Sequence, residues 1–265
     1  MKHLSSGTWK WAVPAFIIIA VVLAVVVEQR RQRERMEYRL LSMLPDDTAS
    51  DPALVAFATQ QAKPVYAQHC AVCHGSDLRG RPDIGAPNLT DGVWIYGKGR
   101  VYDIERTLLY GIRSGHSKTH NITDMPGFGL AGTLTADEIR SVVQYVMKLS
   151  GRPYQVEAAN EGEALYYNAE KGGCGDCHGP GARGDPDYGS ADLTANVWNS
   201  GSTEQDVYNA IYFGEHRVMP AWIGILSLEQ IRALSLYLCS ASHSLPANRP
   251  DTTASRAQEG ARGMR

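Results

Sequence analysis

The sequence predicts an all-α protein, with two tandem copies of one small helical domain behind a single N-terminal transmembrane helix. Three observations carry that prediction. An uncharged run extends from Trp11 to Val27. A set of features in the first half recurs in the same order in the second. Helix starts carry Ser/Thr capping boxes, while Gly and Pro crowd the stretches between them and leave no room for regular strands. The chain has 265 residues, 43% hydrophobic and 20% charged, enough to bury a core. A formal net charge of -2 gives no argument for a nucleic-acid partner, and none is expected.

Residues 1–29 read as the anchor. Trp11 to Val27 is 17 residues, the low end of the roughly 17–25 that span a bilayer as a helix. Trp9 and Trp11 stand as interfacial aromatics at one end, and Arg30 and Arg31 close the other. A cleavable signal peptide would have a shorter apolar region, about 7–15 residues, and a small-x-small site after it; no such site follows here. Residues 30–51 read as a basic juxtamembrane linker. The stretch 28–39 holds five arginines and three glutamates, and suits a surface helix along anionic headgroups as well as a solvated linker helix.

The two copies follow, as residues 52–150 and 157–243, joined by a linker at 151–156. Aligning Cys70 with Cys174, 104 residues apart, lays "NLTDGVWIYG" over "DLTANVWNSG". "DIERTLLYGI" then matches "DVYNAIYFGE", "DMPGFG" matches "VMPAWI", and "DEIRSVVQYVMKLS" matches "EQIRALSLYLCSAS". Capping boxes are expected at Thr135 with Glu138, Ser202 with Gln205, and Ser227 with Gln230. Ile139, Val142, Val143, Val146 and Leu149 fit one apolar helix face, as do Leu228, Ile231, Leu234 and Leu238. Residues 244–265 lack apolar periodicity and are expected to be a disordered tail.

The chemistry sits in "CAVCH" (70–74) and "CGDCH" (174–178). C-x-x-C-H reads as covalent c-type haem attachment. Each thiol, Cys70, Cys73, Cys174 and Cys177, forms a thioether with a haem vinyl, and His74 or His178 then faces the iron. Two covalently bound haem c groups are therefore expected. A structural zinc site is the competing reading, but the cysteine pairs lie 104 residues apart, each in its own copy and each followed by His. A sixth iron ligand must recur in both copies, and Met125 and Met219 do, each ahead of a Pro that stiffens its loop, with Met125 expected to complete the first copy's site and Met219, about forty residues after "CGDCH", the second's. Met36, Met43 and Met147 read as core filler. His116 and His120 are the alternatives to Met125; His69 and His216 have no counterpart in the other copy. Trp94 with Trp198 and Tyr145 with Tyr237 recur and are assigned to packing, and Cys239 to a small buried apolar role. No nucleotide-binding glycine fingerprint, nucleophile elbow or H-E-x-x-H occurs.

The paired C-x-x-C-H-G units, "APNLTDGVWIYG", "SGH…MPGFG", the "EIRSVVQYVMKLS" helix and "MPAW" resemble the di-haem subunit III of cbb3-type cytochrome c oxidases over residues 52–243. The resemblance implies two tandem cytochrome c class I domains with axial ligands His74, Met125, His178 and Met219. It also implies relay of single electrons from a donor c-type cytochrome to a haem–copper oxidase catalytic subunit, in company with the other oxidase subunits. Two alternatives remain. One is a membrane-bound di-haem cytochrome served by a periplasmic dehydrogenase or a quinol-oxidising complex. The other is a di-haem peroxidase, which needs an iron without its sixth ligand. Haem attachment places the haem domains in the periplasm, on the outer face of the bacterial inner membrane, although counting Lys and Arg about the span favours the reverse. Residues 154–243 hold 12 acidic and 4 Lys/Arg residues, against 8 and 10 in 52–150. The second copy is therefore expected to receive a basic donor.

Overall fold

The computed structural model describes residues 9–120, 124–195, 198 and 201–242, with side chains from residue 16 onward. The side chains of Trp9 and Trp11 and the expected tail at 244–265 lie outside the described residues. Helix α1 runs from Trp9 to Ser42, about 51 Å at 1.5 Å per residue. Phe16 to Val27 on it present exposed apolar side chains. Among the described residues no helix is long and apolar enough to cross a membrane. The last turns of α1 are of a different kind: Leu40 is buried, and Met36 and Met43 pack beside it. A short 3-10 turn, Asp46–Ser50, follows.

Helix α2 (Pro52–His69) starts where Asp51 accepts the N–H groups of Ala53 and Leu54 at 3.0 and 3.2 Å, with Pro52 pre-set at the first helical position. It runs into α3 (Ala71–His74). An irregular stretch leads to α4 (Val101–Tyr110), whose start is held by the Asp103 carboxylate, accepting from the Lys98 N–H at 2.8 Å. Helix α5 (Ala136–Leu149) has the expected Thr135–Glu138 box. Then come α6 (Val156–Tyr167), α7 (Cys174–His178), α8 (Glu204–Phe213) and α9 (Leu228–Ala241), the last with its Ser227–Gln230 box. At α8 the box is Thr203 with Asp206, one residue later than the sequence pattern gave. Both frames carry Ser/Thr and a polar partner; the charged carboxylate is the stronger acceptor for the orphan N–H groups, and Gln205 instead reaches Asn209 at 2.8 Å. Leu228 also departs from expectation: at the first turn of α9 it is exposed.

Among the described residues there is no regular strand, only isolated bridges. Those bridges mark where the chain crosses over. Helix α9, from the second copy, packs on α2 and α4 of the first. Its Ile231, Leu234 and Leu238 share one core with Leu54, Ala58, Ala62, Cys70, Ile104 and Leu108. Helix α5, from the first copy, packs on α6 and α8 of the second, and its Ile139, Val142, Val143 and Val146 share a core with Ile211, Leu165 and Cys174. The copies have exchanged their last helices. Their common ancestry makes this feasible, because Ile139, Val142 and Val146 on α5 stand where α9 has Ile231, Leu234 and Leu238. The short connection from α5 to α6 favours an antiparallel pair. Gly162 lets the two backbones close, since a Cβ there would lie 2.0 Å from the Ser141 carbonyl oxygen.

The crossing is stitched by main chain. Ile112 and Met219 exchange N–H···O bonds of 2.9 Å in both directions, and the Glu215 N–H donates to Met125 O at 3.0 Å. Two assemblies result. The first holds α2, α3, α4, the Met219 loop and α9; the second holds the Met125 loop, α5, α6, α7 and α8.

Candidate functional site

Each C-x-x-C-H turn is anchored in the same way. The Tyr66 hydroxyl donates to Gly75 O at 2.7 Å, and the Tyr166 hydroxyl to Gly179 O at 2.8 Å. Both glycines sit at positive φ, 76° and 77°, where a side chain would be strained. Nδ1 of His74 meets Pro87 O at 3.3 Å and Nδ1 of His178 meets Ala191 O at 2.8 Å. A carbonyl can only accept, so Nδ1 carries the proton and the Nε2 lone pair is left for a metal. Burial holds both imidazoles below the ordinary histidine range, which keeps them in the neutral form that ligates.

The thiols divide alike. Cys70 and Cys174 lie against the two cores and burial pushes their pKa up to about 11, while Cys73 and Cys177 are exposed. Among the described residues no cysteine is in a disulfide. The two thiol pairs belong to different cores, so they are not brought together as a four-thiolate zinc site would need. Two thiols on one turn, a tautomer-fixed imidazole and a soft thioether per assembly suit a covalently held haem iron.

The methionines are where the exchange matters, because each loop packs with the other copy's turn and not, as repetition suggested, with its own. Met219 is half-buried against the core that contains Cys70, with Trp94 and Trp222 beside it, and Trp222 packs edge-on to His69 at 5.4 Å. Met125 is half-buried against the core that adjoins Cys174, Leu193 and Trp198. The recurrent tyrosines cross too: Tyr66 meets Tyr237 at 6.2 Å, and Tyr145 meets Tyr166 at 5.3 Å.

The other histidines take structural places. His120 is buried, stacks on Tyr96 at 4.5 Å and meets Thr107 Oγ1 at 3.3 Å. His116 stacks on Tyr110 at 4.9 Å, and His216 stands 3.4 Å from Asp124. Cys239 is 1% exposed in the first core. Sequence reasoning overlooked the two carbonyls that orient the histidines. A signal was present, because Pro87 and Ala191 each precede the recurring N/D-L-T. The structure explains that recurrence: Asn88 and Asp192 each accept the N–H two residues on at 2.8 Å, shaping equal turns.

The helical fold and these turns define a c-type cytochrome, a class that binds haem c covalently. The family model for cytochrome c oxidase, cbb3-type, subunit III matches residues 57–146 and 157–238, and the chain belongs to this family. A cbb3-type cytochrome c oxidase subunit FixP of Bradyrhizobium sp. is 41% identical over 195 residues, covering 73% of this chain and 64% of the relative. Subunit CcoP of Cereibacter sphaeroides is 32% identical over 190 residues (72% and 63%), and that of Rubrivivax gelatinosus 33% identical over 221 residues (83% and 66%). The chain thus spans just under two thirds of these relatives' length.

Proposed function

We propose that this chain relays single electrons through two covalently bound haem c groups, from a donor c-type cytochrome to the haem–copper catalytic subunit of a cbb3-type terminal oxidase. The observation that carries the reading is the pair of like-anchored C-x-x-C-H turns, each with a methionine loop packed on the same core. Haem supplies one-electron chemistry when bound. The chain's own residues hold and tune it. Cys70 and Cys73 attach one haem with His74 as proximal ligand; Cys174 and Cys177 attach the other with His178. The packing supports crossed distal ligands, Met219 for the haem at Cys70 and Met125 for the haem at Cys174.

The exchange also sharpens the polarity. Residues 52–120 with 217–242, the first assembly, hold six acidic and ten Lys/Arg residues; residues 124–215, the second, hold fourteen and five. The second assembly is the face for a basic donor. The anchor reading rests on the 17-residue uncharged run Trp11–Val27, of which Phe16–Val27 is exposed on α1; it makes α1 a single-pass anchor in the inner membrane, with both assemblies in the periplasm. Purification of the whole protein in mild detergent tests the reading. Co-purification of a copper-containing, oxygen-consuming subunit is expected, and a dehydrogenase in its place overturns it.

A further inference from the structure

At the chain crossing stands a residue that neither copy's motif uses. Arg113 follows Ile112, which is bonded both ways to Met219. It takes φ 49°, the left-handed region, where a non-glycine residue is strained. Its counterpart in the second copy is His216, so the arginine has no partner by repetition. Its side chain is only 18% exposed. Nε donates to Arg217 O at 2.7 Å and lies 3.3 Å from the Asp124 carboxylate, and Nη1 donates to the Tyr96 hydroxyl at 3.4 Å. The Arg113 N–H is committed as well, donating to His120 O at 2.9 Å.

Arg217 lies two residues before Met219, and Asp124 is the residue before Met125. One guanidinium therefore holds both methionine loops, which come from different copies. We propose that Arg113 is a positioning residue shared by both candidate axial methionines, tying the chain ahead of Met219 to the residue ahead of Met125. The proposal rests on the methionine ligation above. Strain at a single residue persists when its surroundings over-determine it, and four polar contacts do so here. The single Nε–H is given to the Arg217 carbonyl, the Asp124 carboxylate beside it is held by the guanidinium charge, and Nη1 reaches Tyr96; an ammonium on a flexible stem serves one direction at a time. With the clamp removed, each sulfur is held less firmly, and a weaker thioether ligand favours the reduced iron less.

The test uses the ferric di-haem protein and imidazole as the competing ligand, followed by loss of the weak far-red methionine–iron band. Arg113→Met is expected to lower the imidazole concentration for half-displacement about tenfold at both haems, the equivalent of one charge-assisted hydrogen bond. Both reduction potentials are expected to fall. Arg113→Lys should lie between, and Arg113→Gly, which suits the left-handed backbone, should behave as Arg113→Met. Asp124→Asn should loosen one methionine only. Displacement as in the parent, or an effect of Arg113→Met on a single haem, overturns the proposal. If Arg113→Met does not yield di-haem protein, Arg113→Lys makes the same comparison at both haems, with Asp124→Asn as the control that loosens one. A parent protein lacking two haems or their methionine bands signals failure of the ligation reading instead.

Discussion

The two C-x-x-C-H turns are alike on the inside and unlike on the outside. Inward, each has a tyrosine hydroxyl on the glycine carbonyl, a histidine Nδ1 on a loop carbonyl, and a left-handed glycine. Outward, Val72 faces solvent in the first turn where the second has Asp176, and Arg81 is replaced by Asp185. Exposed Ile84 is replaced by exposed Tyr188. Positions proposed to hold haem are alike in both turns, whereas positions that face solvent differ. That difference gives one assembly an excess of basic residues and the other an excess of acidic ones, as two unlike stations on the proposed path would have.

The sharpest way to break the comparison is to ask which methionine serves which turn. With Cys70 and Cys73 both replaced by Ala, only the haem at Cys174 is attached. Met125→Ala in that background is expected to abolish the far-red band and Met219→Ala to leave it. The reverse outcome would mean that each copy is self-contained. Lysine–carboxylate coupling in the unaltered protein gives an independent check, because Lys148 meets Glu163 at 3.0 Å and Lys171 meets Glu138 only if α5 packs on the second copy. Coupled peptides lacking both pairs count against the exchange.

A second contrast lies on the exchanged helices. Arg232 on α9 and Arg140 on α5 occupy the same place in the repeat. Arg232 is buried: it pairs with Glu105 on α4, at 3.2 Å through Nη2, and donates to the carbonyls of Leu40 and Met43 at 3.0 and 3.2 Å. It therefore caps the C-terminal end of α1 and fixes that helix to the first assembly. Arg140 is exposed, pairs with Asp137 and lies over Tyr208 at 6.0 Å. Arg232→Ala leaves the part-buried Glu105 and the carbonyls of Leu40 and Met43 without their partner, and should destabilise by about 2–4 kcal/mol. Arg140→Ala should cost about 0.5–1 kcal/mol. Urea unfolding of the holoprotein measures both, and similar values would mean that the α1 dock carries little.

The same contrast shows what could be read in advance. Repetition along the chain revealed the helices and the turns, and pointed to the residues proposed to hold haem, since each is a local pattern with a local physical cause. It could not reveal the exchange. Helices α5 and α9 present equivalent apolar faces, so hydrophobic pattern does not choose between partners; the short α5–α6 connection and Gly162 do. Arg113 was equally hidden, because it repeats nowhere and its function depends on two loops that meet only in space. The docking of α1 was disguised by five arginines in residues 28–39, which outweigh Leu40 in any reading by composition.

Charge separates the assemblies more gently. Reduction by a basic donor cytochrome should slow as salt rises, because screening shortens the reach of the acidic assembly. Replacing Asp176 and Asp185 by Asn should reduce that slope, and replacing Asp77 and Asp83 in the first assembly should not. Equal slopes for both pairs would place the encounter elsewhere.

The smallest expected effect concerns His120, which belongs to the first assembly and has no counterpart in the second. Burial, and then the nearby Arg106, hold its pKa below the ordinary histidine value, with Asp103 opposing. The folded state therefore prefers the neutral imidazole. Above the unfolded pKa, about 6.5, both states are neutral there and stability does not depend on this group. As pH falls below that value the unfolded chain takes the proton first, and stability is lost until the folded pKa is passed. His74 and His178 are also held low, but under the proposed ligation their Nε2 atoms would be committed to iron in the holoprotein. The thermal midpoint should thus be lower at about pH 5.5 than at about pH 7.5, and His120→Gln should flatten the difference. If His120→Gln leaves the pH slope unchanged, the stack on Tyr96 is tolerant of charge and the acid sensitivity arises in another part of the molecule.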